Sequence, residues 1–197
     1  MKMKLFSIRS VLIFPLFFLL AGCEFSLKPP TQFKEFFKTE ADSKYYNRKC
    51  GNLLEQLNQK LGEYGIRRIA VMDFVDYEGK VSELGRFLSS NLMVQIPKES
   101  ELIVVQRGQV EKALQELGIP PREGYDLDAI NKLGKKLAVD GIVVGKLVDL
   151  GTNIDVNLKM VDVNTGDVIA TASESLARTK YAVEMSERHV TAPTASK

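Results

Sequence analysis

The chain has 197 residues, with 27 Lys and Arg against 25 Asp and Glu, two cysteines and one histidine. That length suits one domain with a sizeable core plus tails, and a lone histidine, His189, gives a histidine-based triad or a zinc site nothing to build on. The slight positive excess lies in Lys2, Lys4 and Arg9, so residues 23–197 carry 24 basic and 25 acidic side chains and make no electrostatic case for nucleic acid.

Lys2, Lys4 and Arg9 form a basic leader ahead of the apolar run Val11 to Leu20, which is too short to span a bilayer but suits the core of an export signal. Leu20-Ala21-Gly22-Cys23 follows directly. It resembles the lipobox of bacterial lipoproteins; the other reading is an ordinary secretory signal with a chance cysteine. The resemblance implies that residues 1–22 are a cleaved signal peptide, that the Cys23 thiol receives a diacylglyceryl group, and that the freed amine takes a further chain of the palmitate type. One chain gives only marginal binding, but each buried methylene adds about 0.8 kcal/mol, so two or three hold a protein at the membrane. Cys50 then has no partner in its own chain. It falls on the apolar stripe of a predicted helix and reads as a small buried hydrophobe, pairing with another molecule in an oxidising periplasm being the alternative.

Residues 23–41 contain Pro29-Pro30 and the run Phe33-Lys34-Glu35-Phe36-Phe37-Lys38 without a sustained period, and are read as a lipidated tether. Eighteen such residues reach about 60 Å extended or about 23 Å as a flexible coil. Phe33, Phe36 and Phe37 form a sticky cluster for the lipid interface, the domain or a partner.

Residues 42–180 read as the folded domain. From Asp42 to Tyr64, Tyr46, Cys50, Leu53, Leu54, Leu57, Leu61 and Tyr64 recur at helical steps, with Gly65 after them. Ile69 to Val75 is nearly continuous apolar sequence, expected as a strand covered on both faces and as the central one. Ser82 caps a helix with Leu84, Phe87, Leu88, Leu92 and Ile96 inward, closed by Pro97. Leu102 to Val105 gives a short buried strand; Val110, Ala113, Leu114 and Leu117 stripe a helix ended by Gly118; and Pro120-Pro121 forces a loop. Asp126 or Asp128 then starts a helix with Ile130, Leu133 and Leu137 inward.

The last third changes character. Gly141 to Leu150 is a buried strand, Gly151-Thr152-Asn153 a turn, and Ile154 to Asp162 alternates apolar and polar residues, which means one wet face. Asn164 to Asp167 turns the chain into Val168 to Arg178, completing an antiparallel three-strand meander. Residues 181–197 are expected to be a frayed tail. The fold class is α/β: a mixed sheet, βαβ-type at first and then the meander, with helices packed on it in two or three layers.

Ile69 to Phe74, Leu84 to Leu88, Val104 to Arg107, Asp140 to Gly145, and Leu158 to Gly166 with Val168 to Ala170 together resemble the successive blocks of the FlgO domain, over about residues 66 to 178. The position before Arg107, often acidic in these relatives, is Gln106 here. That family comprises outer-membrane lipoproteins associated with flagellar motility. The same core is similar to CsgG-type secretion lipoproteins, LpoB-type activators of peptidoglycan synthases and the N-terminal domain of TolB.

Catalytic chemistry finds no set of residues: no catalytic, cofactor-binding or metal-ligating residue is assigned. Asp73, Asp76 and Glu78 follow the first strand at the end where α/β sheets often bind ligands, and could hold a cation or act as acid and base; an acidic loop is more usually a solvated one. Arg86 and Arg107 either pair with carboxylates inside the domain or sit exposed at helix ends. Gly79-Lys80 lacks the spacing of a phosphate-cradling loop, and Gly141 and Gly145 read as close-packing positions. The resemblance implies a non-enzymatic protein-binding module, lipid-anchored at the outer membrane through Cys23 with its domain in the periplasm and its partner in the flagellar or envelope machinery. A CsgG-like secretion component and an LpoB-like synthase activator are the alternatives. Glu24 after Cys23, in place of aspartate, favours the outer membrane.

Overall fold

The computed structural model describes residues 42–61, 63–120 and 124–190. Residues 1–41, which hold the expected signal segment, Cys23 and the expected tether with Phe33, Phe36 and Phe37, and the last seven residues lie outside them. In chain order the elements are α1 (Asp42–Leu61), β1 (Arg68–Val71), α2 (Glu83–Glu99), β2 (Ile103–Val104), α3 (Arg107–Leu117), α4 (Leu127–Leu137), β3 (Gly141–Asp149), β4 (Asn153–Asp162), β5 (Val168–Ala177) and α5 (Lys180–Glu187).

The strands form one five-stranded sheet in the order β2-β1-β3-β4-β5. β1 runs parallel to both β2 and β3, whereas β3, β4 and β5 are antiparallel, so the mixed α/β sheet and the meander are as the sequence implies. The centre is β3, not β1. Because β2 and β3 flank β1, the successive crossovers leave α2 on one face and α3 with α4 on the other. One core packs α1, α2 and α5 against Ile69, Val71, Val143, Leu147, Val156, Leu158 and Leu176. The second packs α3 and α4 against Ala70, Met72, Ile142 and Val144. β1 and β3 therefore read as unbroken apolar runs, while β4 turns Asn157 and Lys159 to water.

Local chemistry places the ends. The Ser82 hydroxyl accepts from the Gly85 N–H at 3.1 Å, the Asp126 carboxylate from Ala129 N–H at 2.8 Å, and Thr179 from Ala182 N–H at 3.1 Å, each satisfying an orphan donor of a first turn. Gly118 ends α3 with φ +65°, and Ala138 ends α4 at φ +51°. α2 buries Leu84, Leu88, Leu92 and Ile96; truncating Leu88 to Ala would cost about 2–5 kcal/mol.

Several expectations are corrected. α1 stops at Leu61, which leaves Tyr64 in the following turn and 48% exposed. α2 continues through Pro97 to Glu99, and Phe87 lies at its margin against Tyr46. β1 ends at Val71, although Met72 and Val75 still bond β3 through Val143 and Gly145 carbonyls. β2 is a two-residue edge strand whose Ile103 is 56% exposed, burial falling on Leu102 and Val105 instead. Residues beyond Tyr181 do not fray at once: α5 buries Ala182 and Met185 against the first core, and Arg188 and Val190 bond the backbone of Glu83 and Val81.

β5 is the long edge of the sheet, and α1 closes part of it. The Gln56 amide both donates to the Ser173 carbonyl (3.1 Å) and accepts from the Ser173 N–H (3.0 Å), as a neighbouring strand would. The Tyr45 hydroxyl accepts from Ala177 N–H, and Lys49 with Asn52 holds Glu174.

Candidate functional site

In open α/β sheets the crevice at the carboxyl ends of the parallel strands is the usual place for a ligand. Here it lies after β1, between the loop into α2 and the start of α3. Asp73 enters it directly after β1. Its Oδ1 takes an ion pair from Arg107, the first residue of α3, and accepts from the Ser89 hydroxyl at 2.9 Å. The Arg107 guanidinium also donates to Ser89 Oγ at 2.9 Å, Ser90 Oγ at 2.7 Å and the Arg86 carbonyl at 3.3 Å. Arg86 turns outward to Glu111 at 2.5 Å and reaches Asp73 only at 3.9 Å.

The side chains of Asp73 and Arg107 are 18% and 22% exposed. Both charges are thus largely withdrawn from water and stand only because they are paired and multiply hydrogen-bonded. A carboxylate so occupied is neither a free base nor an available cation ligand. Ser89 has a carboxylate neighbour and no imidazole, so it lacks the base that activates a serine nucleophile. What the cluster does is mechanical: it ties α2 and α3 to the end of β1. Of the two readings of Arg86 and Arg107, pairing with carboxylates inside the domain is the one observed.

Asp76 and Glu78 do not join Asp73. Asp76 Oδ1 accepts from the N–H groups of Glu78 (2.8 Å) and Lys80 (2.9 Å), fixing the turn, and its Oδ2 meets His189 Nε2 at 2.8 Å. Burial by itself would raise the Asp76 carboxyl, but those backbone donors and His189 together hold it below the ordinary aspartate value. Glu78 is exposed and paired with Lys80 and the Tyr77 hydroxyl, which lower its carboxyl. The three acids thus serve three separate purposes, and among the described residues no group of three or more His, Cys, Asp or Glu converges as metal ligands would. His189, expected in a frayed tail, is instead the residue that fastens the C-terminal segment to this turn. A lone histidine 113 positions from its partner gives no local signal in the sequence.

The same end of the sheet presents apolar surface. Tyr77 (75% exposed) stands on the Asp76 turn, Leu150 follows β3, and Tyr181 lies at the start of α5, with Arg178 and Asp149 paired at 2.9 Å beside them. Cys50 is fully buried, and burial pushes its thiol up to about 12. No helix among the described residues is long and apolar enough to cross a membrane.

Comparison with known proteins agrees with the fold. The family model described as FlgO protein matches residues 128–181, from α4 through the whole meander. The LpoB C-terminal domain from Salmonella enterica superposes with a TM-score of 0.54 at 14% identity, covering 68% of this chain and 98% of that one. The corresponding Escherichia coli domain gives 0.51 at 14% identity over 68% and 98%, and the solution structure of E. coli LpoB gives 0.53 at 12% identity over 66% and 68%. No protein of curated function matches in sequence. The resemblance to the FlgO domain therefore holds in sequence over residues 128–181, about a quarter of the chain, and the fold is LpoB-like over about two thirds of it.

Proposed function

We propose that this chain is a non-catalytic envelope lipoprotein, anchored at the outer membrane through Cys23, whose α/β domain binds another protein in the periplasm. The observation that carries the reading is a FlgO match on the meander of an LpoB-like fold, in a chain that opens with a lipobox-like Leu20-Ala21-Gly22-Cys23. The acid cluster supports it too, since Asp73 is locked in a structural ion pair. Tyr77, Leu150 and Tyr181 supply aromatic and aliphatic anchors of the kind that protein interfaces favour.

Within that reading, flagellar motility is the role the FlgO match favours, and activation of a peptidoglycan synthase is the one the LpoB-like fold favours. Crosslinking in the native envelope, followed by identification of the captured protein, separates them. A deletion strain that swims normally while a synthase is recovered by pull-down would reject the first. Mass spectrometry of the native polypeptide tests the anchor: a diacylglyceryl-modified Cys23 is expected, and an unacylated start or an intact leader would reject it.

A further inference from the structure

At the opposite end of β1, Arg68 faces the groove between α3 and α4. Its Nε is buried and has no hydrogen-bond partner among the described residues. Arg68 lines a cleft of about 330 Å³ with Gln109, Lys112, Ala113, Glu116, Lys136 and Leu137. Glu116 is the single carboxylate in that lining, and it is already engaged by Lys136 at 2.7 Å and more loosely by Lys112 at 3.8 Å. Within the lining three cations face one carboxylate, a formal balance of +2, and Asp140 beside it is occupied by the backbone N–H groups of Arg67 and Arg68.

The helix ends nearby do not use Arg68. Two carbonyls in the last turn of α4, Gly134 and Lys135, accept from the N–H groups of Val139 and Ala138. Those of α3, Leu114 and Gln115, accept from Ile119 and Gly118. A buried guanidinium nitrogen left without an acceptor is costly, and guanidinium geometry matches an oxyanion.

We infer that this cleft binds a phosphate group, Arg68 taking the phosphoryl oxygens and Lys112 and Lys136 flanking them. A phosphomonoester carries the two negative charges that the lining lacks. The volume exceeds that of phosphate alone, and Ala113 and Leu137 give the esterified group an apolar wall. The same chemistry is offered by a soluble phosphoester and by a lipid headgroup.

The test is isothermal titration of the full-length protein in nonionic detergent with inorganic phosphate, glycerol 3-phosphate and glutamate, and with dihexanoyl phosphatidic acid against dihexanoyl phosphatidylcholine. Saturable binding of a phosphate probe, weakening as salt rises, is expected. Arg68→Gln should weaken it by about tenfold or more, the loss of charge-assisted hydrogen bonds. Lys112 is 76% exposed, so Lys112→Gln leaves the fold alone and should weaken binding severalfold, which keeps the test decisive if Arg68→Gln unfolds. Binding of glycerol 3-phosphate supports a soluble source, and binding of phosphatidic acid alone supports a headgroup. No binding of any phosphate probe, equal binding of glutamate, or affinity unchanged in both variants overturns the assignment.

Discussion

The ring of Phe74 fills the space into which a side chain on Gly145 would extend: a Cβ there would lie 2.3 Å from Phe74 Cδ1. The carbonyl oxygen of the same phenylalanine sits 2.2 Å from the equivalent point on Gly85. Phe74, fully buried, is thus clamped between β3 and α2 by two residues without side chains.

Substituting either glycine by alanine must push that contact apart. Gly145→Ala should destabilise by about 1–3 kcal/mol, the usual cost of overpacking. Gly85→Ala should cost at least as much, because backbone yields less than a ring. Urea midpoints measure both, and a wild-type midpoint for Gly145→Ala would show that the ring moves freely.

Removing Arg107 leaves Asp73 with the Ser89 hydroxyl and only the looser approach of Arg86 at 3.9 Å to balance its charge. Arg107→Ala should therefore cost about 2 kcal/mol, counting the charged hydrogen bonds lost. The double variant Asp73→Ala with Arg107→Ala should lose less than the two single losses added. Additive losses in that cycle would mean the pair is uncoupled.

Asp76 gives the stability a pH dependence of definite sign. Its carboxyl is depressed in the folded state, so its contribution is complete above the unfolded aspartate value of about 3.9 and is lost as pH falls through the lower folded value. Asp76→Asn should flatten the stability profile on that acid limb. Above pH 5 the wild-type and variant profiles should run parallel as far as this carboxyl is concerned.

Gln106 stands at the N-cap of α3 in extended geometry and makes no side-chain capping bond. Gln106→Asp should supply one and also favour the positive end of the helix, stabilising the protein by about 0.5–1 kcal/mol. An unchanged thermal midpoint would show that the helix start is satisfied in another way.

The Cys50 thiol, raised to about 12 and enclosed by α2, should resist a thiol reagent at neutral pH until the domain opens. Its labelling rate should follow global unfolding across a denaturant series. Fast labelling of native protein would contradict its burial.

Much of this fold was legible because its signals are local. The unbroken Ile142-Val143-Val144 against the alternating Ile154 to Met160 reports how many layers cover each strand, and Ser82 and Asp126 mark helix starts one side chain at a time. What escaped depends on distance along the chain. Asp73 meets Arg107 across 34 positions and Asp76 meets His189 across 113, and no periodicity encodes either. α5 escaped because eight residues with two buried side chains hardly depart from an unpatterned segment. Ile103 reads as buried in the sequence and is exposed in the fold because an apolar residue looks alike on an edge and in a core.

The amide of Gln56, seated on the backbone of Ser173, is a counterfeit neighbour for the outermost strand. A ten-residue edge left bare is a template on which further extended chains can add and so polymerise. With that position taken by a side chain from α1, a strand added along the edge would lose its hydrogen bonds to Ser173 for as long as the helix keeps its seat.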